Sequence, residues 1–143
     1  MGELRIIPAT INGVREEEAL LDSGSQIVTM SREAASECKL AWDPSMAINM
    51  QSANGGITRT CGLAKNVPFL FGTITAYLQV HVIEDAPYRV LLGRPFDVLL
   101  ESKITNSGTG HQFITITDPN TKEWASLATY AKGELPRTLE TNF

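Results

Sequence analysis

The stretch Ala19-Leu20-Leu21-Asp22-Ser23-Gly24-Ser25-Gln26-Ile27-Val28 constrains this chain more than any other. One apolar run delivers a single carboxylate, Asp22, into a tight Ser-Gly turn, and a second apolar run leaves. A carboxylate flanked by core-seeking strand residues loses hydration, so it must be paired, hydrogen-bonded or protonated. Asp-Ser-Gly also makes a plain turn, in which Asp and Ser bond local backbone and Gly supplies a positive φ. The tripeptide alone leaves both readings open.

The surrounding chain asks for short strands. Leu4 to Ile11 is apolar with one proline, which reads as an edge-type strand. Asn12-Gly13 is a strong hairpin signal, and the return strand runs from charged Glu16-Glu17-Glu18 into apolar Ala19-Leu20-Leu21. Ile27 to Met30 is a further strand, and Ser31 caps a predicted helix over 32–39. Met50 to Cys61 forms a hairpin around a glycine-bearing tip, either a surface hairpin or a lid. Strands are predicted over 67–70, 73–83 and 88–92; in the second, Ile74, Ala76, Leu78, Val80 and Val82 share one face. Leu91-Leu92-Gly93 ends a buried strand, and Pro95 opens a predicted helix over 95–101. A last hairpin rises through Phe113 to Thr117, turns at Asp118-Pro119 and returns to Ala128. Seven to nine short strands at turn spacing predict an all-β barrel or sandwich with one or two short helices.

At 143 residues and 43% hydrophobic, the chain has the size and composition of one globular domain. Net charge is −4, and lysine and arginine are scattered, so no nucleic-acid partner is expected. No apolar run reaches membrane-span length and no signal-peptide pattern is present, so neither a membrane partner nor secretion is expected. Cys38 and Cys61 lack a Cys-x-x-Cys spacing and read as reduced thiols, consistent with a cytoplasmic setting.

One Asp in one domain cannot be both general acid and general base, but two chains about a twofold axis supply a pair. Two carboxylates about 3 Å apart share one proton and titrate as a unit. Ser25 is expected to donate to the outer oxygen of Asp22. The active-site strand, the glycine-bearing hairpin and Leu91-Leu92-Gly93 before a helix come in one order, and together they resemble the retropepsin-like aspartic peptidases. These are the small homodimeric proteases of retroviruses and LTR retrotransposons, with cellular DNA-damage-inducible relatives.

The resemblance spans about Leu4 to Lys103 and implies a closed β-barrel of the retropepsin type. It implies a homodimeric aspartic endopeptidase without cofactor or metal, cutting a peptide or polyprotein substrate between apolar side chains, with retroelement polyprotein processing as its setting. By position, Asp22 activates water, Ser23 locks the two loops across the dimer axis, and the Gly24 carbonyl and Gln26 hold substrate backbone. Leu20, Tyr88, Arg89 and Leu91 line side-chain pockets, Ser25 adjoins them, and Gly55, Gly56 and Ile57 lie at or near the flap tip. Some members pair the arginine at the position of Arg94 with an Asp where this chain has Gln26, so Arg94 is expected to turn to Asp97.

The predicted organisation is a core over 1–103, a C-terminal hairpin extension over 104–130 and a tail over 131–143. Phe113, Ile114, Ile116, Trp124 and Leu127 leave more apolar surface than a pendant hairpin tolerates, so the extension is expected in the dimer interface. Truncation at Ser107 is then expected to yield a monomer. The competing functional class is a non-catalytic retropepsin-fold dimerisation or peptide-binding module; a third is an unrelated β-barrel in which Asp22 only turns the chain. Other chemistry is weaker. Cys61 with His81 shows no sign of an activated thiol. Ser23 and Ser25 lack a nucleophile elbow. His81 and His111 are too few for zinc, and Asn54-Gly55-Gly56 does not open a helix as a phosphate loop does.

Overall fold

Asn12 and Gly13 both take positive φ, +58° and +66°, and reverse the chain between β1 (Arg5–Ile11) and β2 (Arg15–Leu21). Such a turn matches the twist of the strands it joins. The computed structural model describes residues 4–51, 55–132 and 134. After β2 come β3 (Val28–Ser31), α1 (Arg32–Glu37), β4 (Asn49–Gln51) and β5 (Ile57–Arg59). Two long strands follow, β6 (Gly62–Phe71) and β7 (Ile74–Ile83), then β8 (Val90–Leu92) and α2 (Arg94–Leu100). The chain continues through β9 (Lys103–Asn106), β10 (Gln112–Thr117), β11 (Trp124–Ala128) and β12 (Tyr130–Ala131).

Six strands close into a mixed barrel in the order β1-β2-β8-β3-β7-β6, with β6 returning to β1 at Ile11–Phe69 and Thr10–Leu70. The pairs β2–β8 and β3–β7 are parallel; the other barrel pairs are antiparallel. The fold is therefore the all-β closed barrel expected, with two short helices. Ser31 caps α1, its hydroxyl accepting from the Ala34 amide at 3.1 Å, and Ala34, Ala35 and Cys38 are buried beneath it. Alternation along β7 sends Ile74, Ala76, Leu78, Val80 and Val82 into the barrel. Phe69, Phe71 and Phe96 fill its centre with ring centroids 5.8 and 5.2 Å apart, joining α2 to the sheet.

Two expectations change. β1 is not an edge strand: β12 pairs with Arg5 and Ile6, and β6 with Thr10 and Ile11. Pro8 falls in the gap between them, where no third strand needs its missing N–H. The C-terminal extension, expected as a two-stranded hairpin, has three strands. Lys103–Asn106 adds a third strand, giving the sheet order β11-β10-β9, and Ile114 and Ile116 are buried in the same core as Ile7 and Phe96. Burying each stabilises the chain by about 1.5–3 kcal/mol. Of the residues assigned to a dimer contact, Ile114 and Ile116 are thus used within the chain, Phe113 and Leu127 are half-buried, and Trp124 is 70% exposed.

Candidate active site

The loop after β2 is held by backbone rather than by side chains. The Asp22 amide donates to the Leu92 carbonyl at 3.0 Å, and the Arg94 amide donates to the Ser25 carbonyl at 2.8 Å. β8 and the start of α2 therefore clamp both ends of the Asp-Ser-Gly turn. Gly93 permits this: a Cβ there would lie 2.1 Å from the Ile27 carbonyl oxygen and 2.7 Å from that of Ser25. The constraint is close approach, because the Gly93 φ of −88° is open to any residue.

Within the turn, the Gly24 amide donates to Asp22 Oδ1 at 3.0 Å, and the Ser25 amide donates to the Asp22 carbonyl at 3.1 Å. The carboxylate is half-buried, and Ser23, Gly24 and Gln26 are exposed. The turn reading and the acid reading are both realised: the turn fixes Asp22 Oδ1 and leaves the group open to the cleft. Ser25 does not donate to Asp22 as expected. Its hydroxyl donates to the Ile27 carbonyl at 3.0 Å, closing the local turn instead. Arg94 forms no ion pair among the described residues, and Asp97 accepts from the Ser102 hydroxyl at 2.5 Å.

Asp22 lies in a cleft of about 600 Å³. Its floor includes Ser25, Thr29 of β3 and Leu91 of β8. The hairpin β4–β5 contributes Met50, Gln51 and Thr58, and the 83–88 segment forms the remaining wall. Of the residues expected to bind substrate, Ser25, Tyr88 and Leu91 come together with Asp22 here. Gly55, Gly56 and Ile57 are exposed on the hairpin, Ile57 at 74%; residues 52–54 of the predicted tip lie outside the described residues.

Leu20 and Arg89 go elsewhere. With Tyr88 they line a separate groove of about 340 Å³. The Arg89 guanidinium is held by Glu17, whose carboxylate is buried, through two bonds of 2.8 Å, and by Glu37 at 2.6 Å. These carboxylates raise the Arg89 pKa further above its already high value. Arg15 reaches Glu17 at 2.9 Å and Glu37 at 3.1 Å, so Glu17 sits between two cations. Such a lattice ties β2 and the start of β8 to α1 and leaves Arg89 little freedom to follow a ligand.

Sequence reasoning did not single out Thr29, Glu84 or Asp85. The available signal was Thr29 as the polar member of Val28-Thr29-Met30, the position that alternation turns away from the core. Glu84 pairs with Arg32 at 2.8 Å. Cys61 Sγ stands 3.9 Å from Glu84 Oε1; burial and that carboxylate push its pKa up, which opposes nucleophilic use. His81 Nδ1 is buried without a partner among the described residues, and burial lowers the His81 pKa. No group of three or more metal-ligating side chains is found among the described residues.

A barrel that presents Asp-Ser-Gly between two parallel strand pairs, above a glycine-clamped floor, defines the retropepsin-like fold. Residues 7–96 match the aspartyl protease family, and the chain belongs to it. Among solved structures, the retroviral protease-like domain of Ddi1 from Leishmania major superposes with a TM-score of 0.70 at 19% identity, covering 94% of this chain and 100% of that one. A comparison with curated proteins found no match. No described helix is long and apolar enough to cross a membrane.

Proposed function

We propose that this chain is an aspartic endopeptidase active as a homodimer. The observation that carries the reading is the Asp22 carboxylate, fixed by Gly24 at the floor of the 600 Å³ cleft. One chain supplies one such acid, so the second comes from a twofold copy. The two carboxylates then share a proton: the ionised member draws a proton from water, and the neutral member donates to the scissile carbonyl. In this reading Ser23, exposed beside Asp22, steadies the turn across the axis, and the Gly24 carbonyl and Gln26 hold substrate backbone. The β4–β5 hairpin serves as the flap. Its exposed glycines suit closure over a peptide, because sparse packing leaves such a hairpin low local stability. Processing of a retroelement polyprotein is the biological role proposed with this chemistry.

The test is cleavage of a mixed peptide library at acidic pH, with and without a pepstatin-type inhibitor. Activity is expected to fall on dilution, as dimers dissociate. Asp22→Asn is expected to abolish cleavage while leaving the sedimentation coefficient unchanged. Wild-type cleavage by that variant, or activity proportional to concentration down to the assay limit, overturns the reading.

A further inference from the structure

The cleft is one-sided in charge. Its described lining holds three carboxylates, Asp22, Glu84 and Asp85, and no lysine, arginine or histidine. Glu84 is already compensated by Arg32. Asp85 is exposed and has no hydrogen bond or ion pair among the described residues. Beneath them, Thr29 is 5% exposed and lines the cleft, yet its hydroxyl has no partner either. His81 Nδ1, not the Thr29 hydroxyl, is the fully buried side-chain polar atom without a partner among the described residues, so the hydroxyl opens to the cleft and is left for a ligand there. An acceptor-rich cleft, with no cation in its described lining and a hydroxyl in its floor that no described side chain or backbone group engages, is complementary to a donor that carries positive charge. The apolar lining from Ile83, Pro87 and Leu91 suits the methylene stem of such a side chain.

We propose that this cleft takes a basic residue of the bound peptide, lysine or arginine, with Asp85 and Thr29 as its acceptors. The proposal rests on the peptide-binding part of the reading above and departs from the expectation of purely apolar flanks. Arg32 is compensated by Glu84; Arg59 of the hairpin, bonded to neutral Asn49 at 3.3 Å, keeps its charge but does not line the cleft. His81 shares the Thr29 row of the sheet, and burial disfavours its charged form, so it does not cancel the field near neutral pH.

The experiment uses fluorescein-labelled decapeptides in matched pairs, lysine at one central position against norleucine, which keeps the stem without the charge. Binding is measured by anisotropy on the full chain carrying Asp22→Asn, so it does not depend on cleavage. The lysine peptide is expected to bind roughly fivefold tighter at low salt, near the upper end for a partly exposed ion pair. That preference should shrink in molar salt. Adding Asp85→Asn should remove most of it, and Asp85→Lys should turn it toward a glutamate peptide. Thr29→Val, nearly isosteric, should lower the lysine preference without weakening norleucine binding.

Equal binding of both peptides, or a lysine preference indifferent to Asp85, overturns the proposal. Cleavage of the library by the wild-type chain with no basic preference overturns it too, while leaving the protease reading intact. Lysine-selective, Asp85-dependent binding without any cleavage by the wild-type chain supports the cleft chemistry and sinks the protease reading instead.

Discussion

Gly93→Ala tests the clamp that places Asp22. The backbone dihedrals suit alanine, so the whole effect is steric. The new Cβ would stand 2.1 Å from the Ile27 carbonyl oxygen and 2.9 Å from its carbon. Both are backbone atoms, so no side-chain rotation relieves the clash. The 25–27 segment must retreat by about 1 Å to restore van der Waals contact. That movement stretches the Asp22–Leu92 and Arg94–Ser25 hydrogen bonds, now 3.0 and 2.8 Å. Each bond contributes about 1 kcal/mol, and overpacking adds about 1–3 kcal/mol.

The expected loss is therefore about 3–5 kcal/mol, or roughly 10–15 °C in Tm for a chain of this size. Urea unfolding followed by the fluorescence of half-buried Trp42, at matched protein concentration, measures it. Gly108→Ala is the control, because a Cβ there meets nothing within 4 Å. A Gly93→Ala protein within about 1 kcal/mol of wild type would refute the argument, since overpacking and the two stretched bonds together come to at least about 3 kcal/mol.

Ile116→Ala should cost about 2–5 kcal/mol, as for other fully buried aliphatics, whereas Trp124→Ala at 70% exposure should lie within about 0.5 kcal/mol of wild type; similar small values for both would mean that the C-terminal sheet is dispensable to the core. For the same reason, truncation at Ser107 should give an unfolded chain rather than a folded monomer, as read by loss of cooperative melting. Glu17→Gln should destabilise by about 1–3 kcal/mol, because it weakens the anchoring of both Arg15 and Arg89; double-mutant cycles with Arg89→Met should show strong coupling, and additive effects would argue against the lattice. Burial, then Glu17, pushes the Cys38 thiol up to about 11. The unfolded thiol ionises first, so its contribution to stability is complete below about pH 8.5 and is lost as pH rises toward 11; Cys38→Ala should show a shallower fall in urea midpoint over that window, and parallel profiles would refute the assignment.

The parts of this fold written in local chemistry were legible. Asn12-Gly13, the Ser31 cap and the period-two run of β7 each specify a conformation through residues close in sequence. Asp22-Ser23-Gly24 and Leu91-Leu92-Gly93 were legible as a pair only through the resemblance to retropepsin-like peptidases, and the structure brings them together. What escaped notice depends on distant partners. Arg89 looked like a pocket residue because nothing near it announces Glu17, seventy-two positions away. Lys103–Asn106 is exposed along its whole length and takes its strand form from pairing with β10, not from any apolar pattern. β6 was read as a short strand because Lys65 and Asn66 interrupt its apolar run; a register shift there accommodates them. The Ser25 hydroxyl had two acceptors within reach of the turn, and its hydrogen bond to the Ile27 carbonyl is a choice that spacing does not encode.

The parallel pairing of β2 with β8 has a consequence for the order of events in the cell. Leu21 meets Leu92, about seventy residues later, and β8 must slide between β2 and β3 to do so. During synthesis Asp22 therefore emerges long before the strand that positions it, and the core beneath closes only when Ile116 has followed. Contacts of such long range form late and slowly. In the proposed protease the topology delays competence: no chain stopped before Arg94 holds Asp22 in its clamp, and none stopped before Ile116 has the core beneath it, so this domain cannot cut until those residues are made.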